Sequence, residues 1–196
     1  MKVLAFSDLH LDRLSADQLL EEVDAADLVI GAGDFAQRHE SLEPFMELLA
    51  PMDHKAVYVP GNNETEAALR VATGATVLHG QGVSVGGLSI FGLGAAVPPL
   101  PPMAWGSFDL SEDEAGAMLG DIGAVDILVS HSPPKGVVDV HVSLGSIGSE
   151  AVRAVIETNQ PPLVLCGHIH DCWGMEGQIG KSRICNLGPG PTWFEF

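Results

Sequence analysis

Apolar residues along the chain fall into short continuous runs separated by stretches of helical periodicity. Val3–Phe6 is one run of strand length, and Leu28–Ile30, Ala56–Val59, Ile127–Val129 and Leu163–Leu165 are four more. Runs this short, closed by glycine, proline or polar residues, predict strands buried on both faces. Ser15–Val23, Ser41–Leu49, Glu64–Val71, Ser111–Leu119 and Ser149–Thr158 read as helices, with apolar residues spaced to share one helix face. Ser15 and Ser111 predict N-caps, and the acidic turn after Ser111 suits the positive end of a helix dipole. Val83–Val85 and Leu88–Phe91 flank Gly86-Gly87 and predict a hairpin. Val97–Pro102 holds four prolines and predicts a loop, and Ile179–Phe196 predicts a run of short antiparallel strands. The strand–helix order of the first half predicts parallel strands with helices outside. No repeat, low-complexity tract or linker interrupts residues 1–196, so a single α/β domain is expected.

Composition narrows the function. A chain of 196 residues with 46% hydrophobic and 18% charged residues can bury a substantial core. Its net charge is −17, and no Lys/Arg cluster offsets it, so a nucleic-acid backbone is repelled and a small soluble substrate is favoured. Cys166, Cys172 and Cys185 have no regular spacing, which argues for a reducing compartment. The segment MKVLAFSDLHLD turns acidic within eight residues and has no signal-peptide core, and no run is long enough to span a membrane. A cytoplasmic protein is expected. The Asn63-Glu64-Thr65 glycosylation sequon is discounted on the same ground. Nothing in the sequence sets the oligomeric state.

The polar residues that carry chemistry share one position. Asp8, Asp34, Asn62, His131 and His168 each lie just past an apolar strand, at the edge where covered sheets bind ligands. Asp8-Leu9-His10 and His168-Ile169-His170 set two donors two residues apart, on one side if the chain is extended. Gly31 and Gly33 before Asp34 leave room for close approach to a ligand, and Gly61 precedes Asn62. Carboxylate, imidazole and one amide oxygen suit Mn²⁺, Fe, Zn²⁺ or Ni²⁺ rather than Ca²⁺. Seven donors exceed the needs of one ion. Two ions sharing a carboxylate would use them all, clamp an in-line displacement at phosphorus and lower the pKa of a bridging water. Two aspartates and two divalent ions leave such a site net positive, so it attracts a phosphate ester that the rest of the surface repels.

The ordered series Asp8-x-His10, Gly33-Asp34, Gly61-Asn62, His131 and Gly167-His168-x-His170 resembles the signature of calcineurin-like metallophosphoesterases, from residue 1 to about residue 190. His131-Ser132-Pro133-Pro134 and Cys166-Gly167-His168-Ile169-His170 look like the small prokaryotic members and the MPPED-like branch. The resemblance implies a four-layer α/β/β/α sandwich. It implies that Asp8, His10 and His170 hold one metal, that Asn62, His131 and His168 hold the other, and that Asp34 bridges them. The implied activity is hydrolysis of a phosphate ester by a metal-bridging hydroxide, with Asn63, His131 and His168 as the catalytic residues, the two histidines through the metal they hold. One position departs from the family. Asn63 stands where a histidine is common, and it cannot supply a titrating proton to a leaving group. Diesters, or esters with acidic leaving groups, are therefore expected over alkyl monoesters.

Competing readings are weaker. Cys166, His168, His170 and Cys172 lie along one segment and cannot wrap a tetrahedral ion. Gly82-Val83-Ser84-Val85-Gly86 matches a nucleophile elbow but lacks the helix that must follow it. His39, His54, His79 and His141 read as surface residues, and Trp105, Trp173 and Trp193 as packing residues. Asp12 and Arg13 are placed at the entrance of the site, with Arg13 as a phosphate contact. The resemblance also covers a retromer subunit that uses the fold for protein contacts. Loss of metal ligands would mark a scaffold of that kind, and this chain keeps competent donors at all seven positions.

Overall fold

The structure, a computed structural model, describes residues 1–120 and 122–196. Its first sheet has β1 (Lys2–Phe6), β2 (Leu28–Gly31), β3 (Ala56–Tyr58) and β4 (Thr76–Val77) side by side and parallel, with β13 (Thr192–Glu195) antiparallel to β1. In its second sheet β6 (Leu88–Leu93), β7 (Ile127–Ser130), β10 (Leu163–Cys166) and β12 (Ser182–Asn186) are parallel. The edges of that sheet are β5 (Gln81–Val85) and β11 (Glu176–Ile179), both antiparallel to their neighbours. A small hairpin, β8 (Val140–His141) and β9 (Gly145–Ser146), stands apart.

Strand alternation sorts the apolar side chains into three layers. Val3, Ala5, Leu28, Ile30 and Val57 of the first sheet meet Ile90, Ile127, Val129, Leu163 and Leu165 of the second. Leu4, Phe6, Val29 and Tyr58 turn the other way, onto Ala16 and Leu19 of α1 (Arg13–Glu22), Phe45 and Met46 of α2 (Leu42–Leu49) and Leu69 of α3 (Glu66–Ala72). Phe91, Leu128, Val164 and Ile184 face Ala115 and Leu119 of α4 (Glu112–Leu119) and Val152 and Ile156 of α5 (Glu150–Asn159). Two sheets pack face to face with helices outside each, which is the expected α/β/β/α sandwich. Each fully buried Leu, Ile, Val or Phe adds roughly 1.5–3 kcal/mol, so the strands are pinned along their whole length. No described helix is long and apolar enough to cross a membrane.

Four local expectations are corrected. The N-cap of α1 is Asp12, not Ser15: the Asp12 carboxylate accepts from Leu14 N at 3.0 Å, and the Ser15 hydroxyl donates to it at 2.7 Å. The preceding loop sets Asp12 rather than Ser15 beside the orphan amides, so the helix starts earlier. Ser41 precedes α2 in the left-handed region with no side-chain cap bond. Glu64 is not helical; Thr65 caps α3, and Glu64 folds back into the interior. The C-terminal strands are not simply antiparallel, because β12 lies parallel to β10 and β13 crosses to the other sheet to pair with β1. Local alternation marks a strand without naming its partner. The Gly82–Gly86 segment forms β5 and the start of a hairpin turn, with Gly86 and Gly87 at φ +57° and +91°.

Candidate metal centre

β1, β2 and β3 of one sheet and β7 and β10 of the other end beside one another, and the loops leaving them carry the candidate donors. These loops are knitted by backbone bonds: Asp8 N donates to Gly33 O, His10 N to Asp34 O, and Gly167 N to His131 O. Period-two spacing suggested extended segments, but the segments are not extended. Asp8, His10, Asp34 and His168 have φ of 55°, 44°, 58° and 68°, in the left-handed region. Convergence comes from tight turns rather than strand pleating, and each such residue stores strain that the surrounding bonds must hold. The glycines also act differently from the expectation. A Cβ on Gly33 would lie 2.6 Å from the Gly61 backbone, and one on Gly61 would lie 2.0 Å from Asp34 Oδ1. They let loops approach each other rather than a ligand.

All seven predicted donors meet. Asp8, His10 and His170 form one group and Asp34, His131 and His168 a second, each with ligand atoms within 4.8 Å of one another. Asn62 joins the second group, its Oδ1 lying 3.2 Å from His131 Nε2. His10 and His170 bring their Nε2 atoms to 3.1 Å. Asp34 Oδ2 sits between the groups, 3.5 Å from His10 Nε2 and 3.6 Å from His131 Nε2. Its other oxygen accepts from Asn63 N at 2.8 Å.

The electrostatics suit cations. Burial acts to raise the Asp34 pKa, but His131, His10, His168 and the Asn63 N–H outweigh it and hold the carboxyl below its ordinary value. Burial pushes His168 down to about 3, helped by His131, so this imidazole is neutral and offers a lone pair. Burial also lowers His170. At His131 burial opposes charge, yet Asp34 and Asp8 raise its pKa overall. His131 Nδ1 lies 2.8 Å from Ala32 O, a carbonyl that can only accept, so Nδ1 carries the hydrogen and Nε2 faces Asp34. The carboxylates that draw a proton to this nitrogen would equally draw a metal ion. Nitrogen and oxygen donors in two groups around one carboxylate therefore fit a pair of divalent ions.

Two residues that sequence reading passed over belong to the site. Glu64, 1% exposed, accepts from Gly61 N at 2.6 Å, Asp34 N at 2.8 Å and Ala36 N at 3.0 Å. It ties the β2 and β3 loops together, and burial beside Asp34 pushes its carboxyl up to about 7. Trp173, expected to pack, donates its indole N–H to Asp8 Oδ2 at 3.0 Å and stacks on His170 with ring centroids 4.4 Å apart. An acid three residues after glycine, or an aromatic three after a histidine, is too common a pattern to flag either one.

The remaining expectations resolve as follows. Asn63 is buried; its side chain donates to Asp34 Oδ2 at 2.8 Å and accepts from Arg38 N at 2.8 Å. His39 lies against Trp105 and Gly106 O, His54 against Pro51 O, His79 beside Gly94 N, and His141 at the end of β8, accepting from Ser143 N; none enters either donor group. Asp12 serves as a helix cap, and Arg13 is exposed on α1. Trp193 reaches Glu22. Cys166, Cys172 and Cys185 are free and buried, and no cysteine joins the donor groups among the described residues. Segments 97–107 and 134–146 border the site: Ser107 Oγ accepts from Asn62 Nδ2 at 3.2 Å, and Val142 N donates to Asp171, next to His170, at 2.8 Å.

Known proteins share this fold. The chain is 26% identical over 216 aligned residues to a UPF0046 protein of Caenorhabditis elegans, covering 96% of this chain and 71% of that protein. Its fold is similar to that of TT1561 of Thermus thermophilus, with TM-score 0.71 and 19% identity over 95% of this chain and 88% of the other. It is similar also to a dimetal phosphatase from Danio rerio, with TM-score 0.64 and 14% identity over 96% and 88%. An archaeal phosphodiesterase matches with TM-score 0.53 and 14% identity over 96% and 84%. Residues 1–172 match the calcineurin-like phosphoesterases. That match runs through every candidate ligand from Asp8 to His170, and the chain belongs to the calcineurin-like phosphoesterase family.

Proposed function

We propose that residues 1–196 act as one dimetal phosphoesterase on a small phosphate ester, with phosphodiesters favoured. The position of Asp34 carries the reading: its Oδ2 stands between His10 and His131, 3.5 and 3.6 Å away, where one carboxylate touches both donor groups. Asp8, His10 and His170 would hold one ion, Asn62, His131 and His168 the other, and Asp34 both. When bound, such a pair supplies a water acidified toward neutrality and neutralises charge on the phosphoryl oxygens. The chain's own residues then orient and hold. His131 and His168 contribute by fixing donors in a buried pocket, and the hydrogen bond from His131 Nδ1 to Ala32 O sets which nitrogen of the ring faces inward. Asn63 orients the shared carboxylate through the hydrogen bond its side-chain N–H donates to Asp34 Oδ2, while its Oδ1 accepts from Arg38 N.

Substrate preference follows from Asn63. Monoester hydrolysis places much charge on the leaving oxygen, and a proton donor there is worth about 10²–10⁴-fold. An amide has no proton to give, and this one is engaged with Asp34. Diesters, and esters of acidic alcohols, depend less on such a donor. The net charge of −17 disfavours a nucleic-acid polymer as substrate. The test pairs mono- and diesters of one alkyl alcohol on Mn²⁺-reconstituted protein. Wild type should carry two ions per chain and favour the diester. Asp34→Ala should lose both ions, and Asn63→His should gain at least about tenfold on the alkyl monoester. One ion or none on wild type defeats the dimetal reading. A wild-type preference for the alkyl monoester, with no gain for the histidine variant, defeats the substrate reading.

A further inference from the structure

Asp8 has two carboxylate oxygens in unlike surroundings. Oδ2 accepts from the Ser7 hydroxyl at 2.7 Å, the His168 backbone N–H at 3.1 Å and the Trp173 indole N–H at 3.0 Å. Three donors fill the lone-pair directions of that oxygen. Among the described residues Oδ1 accepts only from His168 N, at 3.1 Å, and it lies 4.0 Å from His170 Nε2. Oδ1 is thus the oxygen left for an ion. The same indole lies 31° from parallel with the His170 ring, centroids 4.4 Å apart. One side chain therefore touches two members of one donor group, by a hydrogen bond to the first and a stack on the second. Its seat is prepared: a Cβ on Gly188 would stand 3.2 Å from Trp173 Cβ and Cγ. At 38% exposure the ring is a partly open wall, not a core residue.

We propose that Trp173 is a positioning residue for the Asp8–His10–His170 metal position, setting Asp8 to offer Oδ1 alone and holding His170 in its ligating orientation. This rests on the dimetal reading above and adds to it a residue specific to one of the two positions. The hydrogen bond falls on Asp8 and the stack on His170, both members of one donor group, so the influence of Trp173 should fall on one ion. Partners that orient metal ligands typically contribute about 10–100-fold in metal affinity.

The experiment is calorimetric titration of metal-free protein with Mn²⁺. His170→Ala identifies which binding step belongs to the Asp8 side. Trp173→Phe keeps a ring against His170 and removes the N–H; Trp173→Leu removes both. The Phe variant should weaken the Asp8-side step about tenfold, the Leu variant more, and both should leave the other step at its wild-type affinity. A second readout uses protein whose only tryptophan is Trp173, made with Trp105→Phe and Trp193→Phe, whose emission should change at the Asp8-side step. Thermal melts of the metal-free variants report whether the fold persists. Unchanged affinities in both Trp173 variants would overturn the inference and leave the dimetal reading standing, as would equal weakening of both steps with a lowered metal-free melting temperature. A wild type that binds no Mn²⁺ would instead defeat the dimetal reading itself.

Discussion

Gly61 sets how closely the β2 and β3 loops approach. A methyl group there would sit 2.0 Å from Asp34 Oδ1 and 2.2 Å from Asp34 N, so either the shared carboxylate or its backbone must move. Gly61→Ala should therefore cost about 1–3 kcal/mol in overpacking and should lose metal as well, because Asp34 serves both donor groups. Denaturant melts and elemental analysis read the two effects. Retention of two ions at wild-type stability would mean that the loop accommodates the methyl, contrary to the geometry. At this scale the sequence was legible in part. The seven donors announced themselves by type and by their place after strands. Glu64 and Trp173 did not, since their roles depend on partners 30 and 165 residues away. The role of Asn63 was legible only as a missing proton donor; its hydrogen bonds to Asp34 and Arg38 exist only once the fold brings those loops together.

Among the elements, α4 follows the sequence most closely. Ser111 and Glu114 form a reciprocal capping box, the Ser111 hydroxyl accepting from Glu114 N and the Glu114 carboxylate from Ser111 N. Gly116 lies mid-helix, exposed, with nothing within 4 Å of a built Cβ. Gly116→Ala should stabilise the protein by about 0.5–1 kcal/mol, by narrowing the unfolded ensemble and favouring the helix. A shift of the urea midpoint at constant slope checks it, and a destabilised variant would show that Gly116 meets something the geometry omits. Gly61→Ala and Gly116→Ala are one chemical change with opposite signs, decided by what surrounds each Cα. The same dependence explains the start of α1. Ser15 and Asp12 are both good caps, and only the position of the preceding loop places Asp12 at the free amides.

For the whole molecule, three buried carboxylates, Asp8, Asp34 and Glu64, lie within a hydrogen-bonded set of loops that joins both sheets. Ions that bind there bind the folded chain and not the unfolded one, so they stabilise by mass action, about 2.7 kcal/mol for one site at a hundred times its Kd. Adding Mn²⁺ to metal-free protein should raise the melting temperature, EDTA should reverse the gain, and Asp34→Ala should abolish it. A wild-type melting temperature indifferent to Mn²⁺ would show that the site contributes nothing to folding. The parallel strands and their outer helices were legible because buried strands read as short apolar runs and covering helices as periodic ones, whereas the four-layer stacking was what the family resemblance implied. The pairing of β12 with β10 and of β13 with β1 was not, because strand partners are long-range choices that local alternation does not encode.

The sequence by itself determined which atoms are available: two carboxylates, four imidazoles and an amide oxygen, each delivered to a strand end by the spacing of apolar runs, in a chain too acidic to favour polyanions. Only the tertiary structure decided how those atoms face one another. Left-handed turns at Asp8, His10, Asp34 and His168, rather than an extended backbone, aim the donors inward, and those conformations hold because neighbouring loops bond across them. Tertiary structure also set Oδ2 of Asp34 between the two donor groups, 3.5 and 3.6 Å from His10 and His131 Nε2, and left Oδ1 of Asp8 the more open oxygen, since Ser7 and Trp173 engage its Oδ2. Residue type fixes what a side chain can donate or accept. Which lone pair stays free depends on every neighbour that folding brings to it.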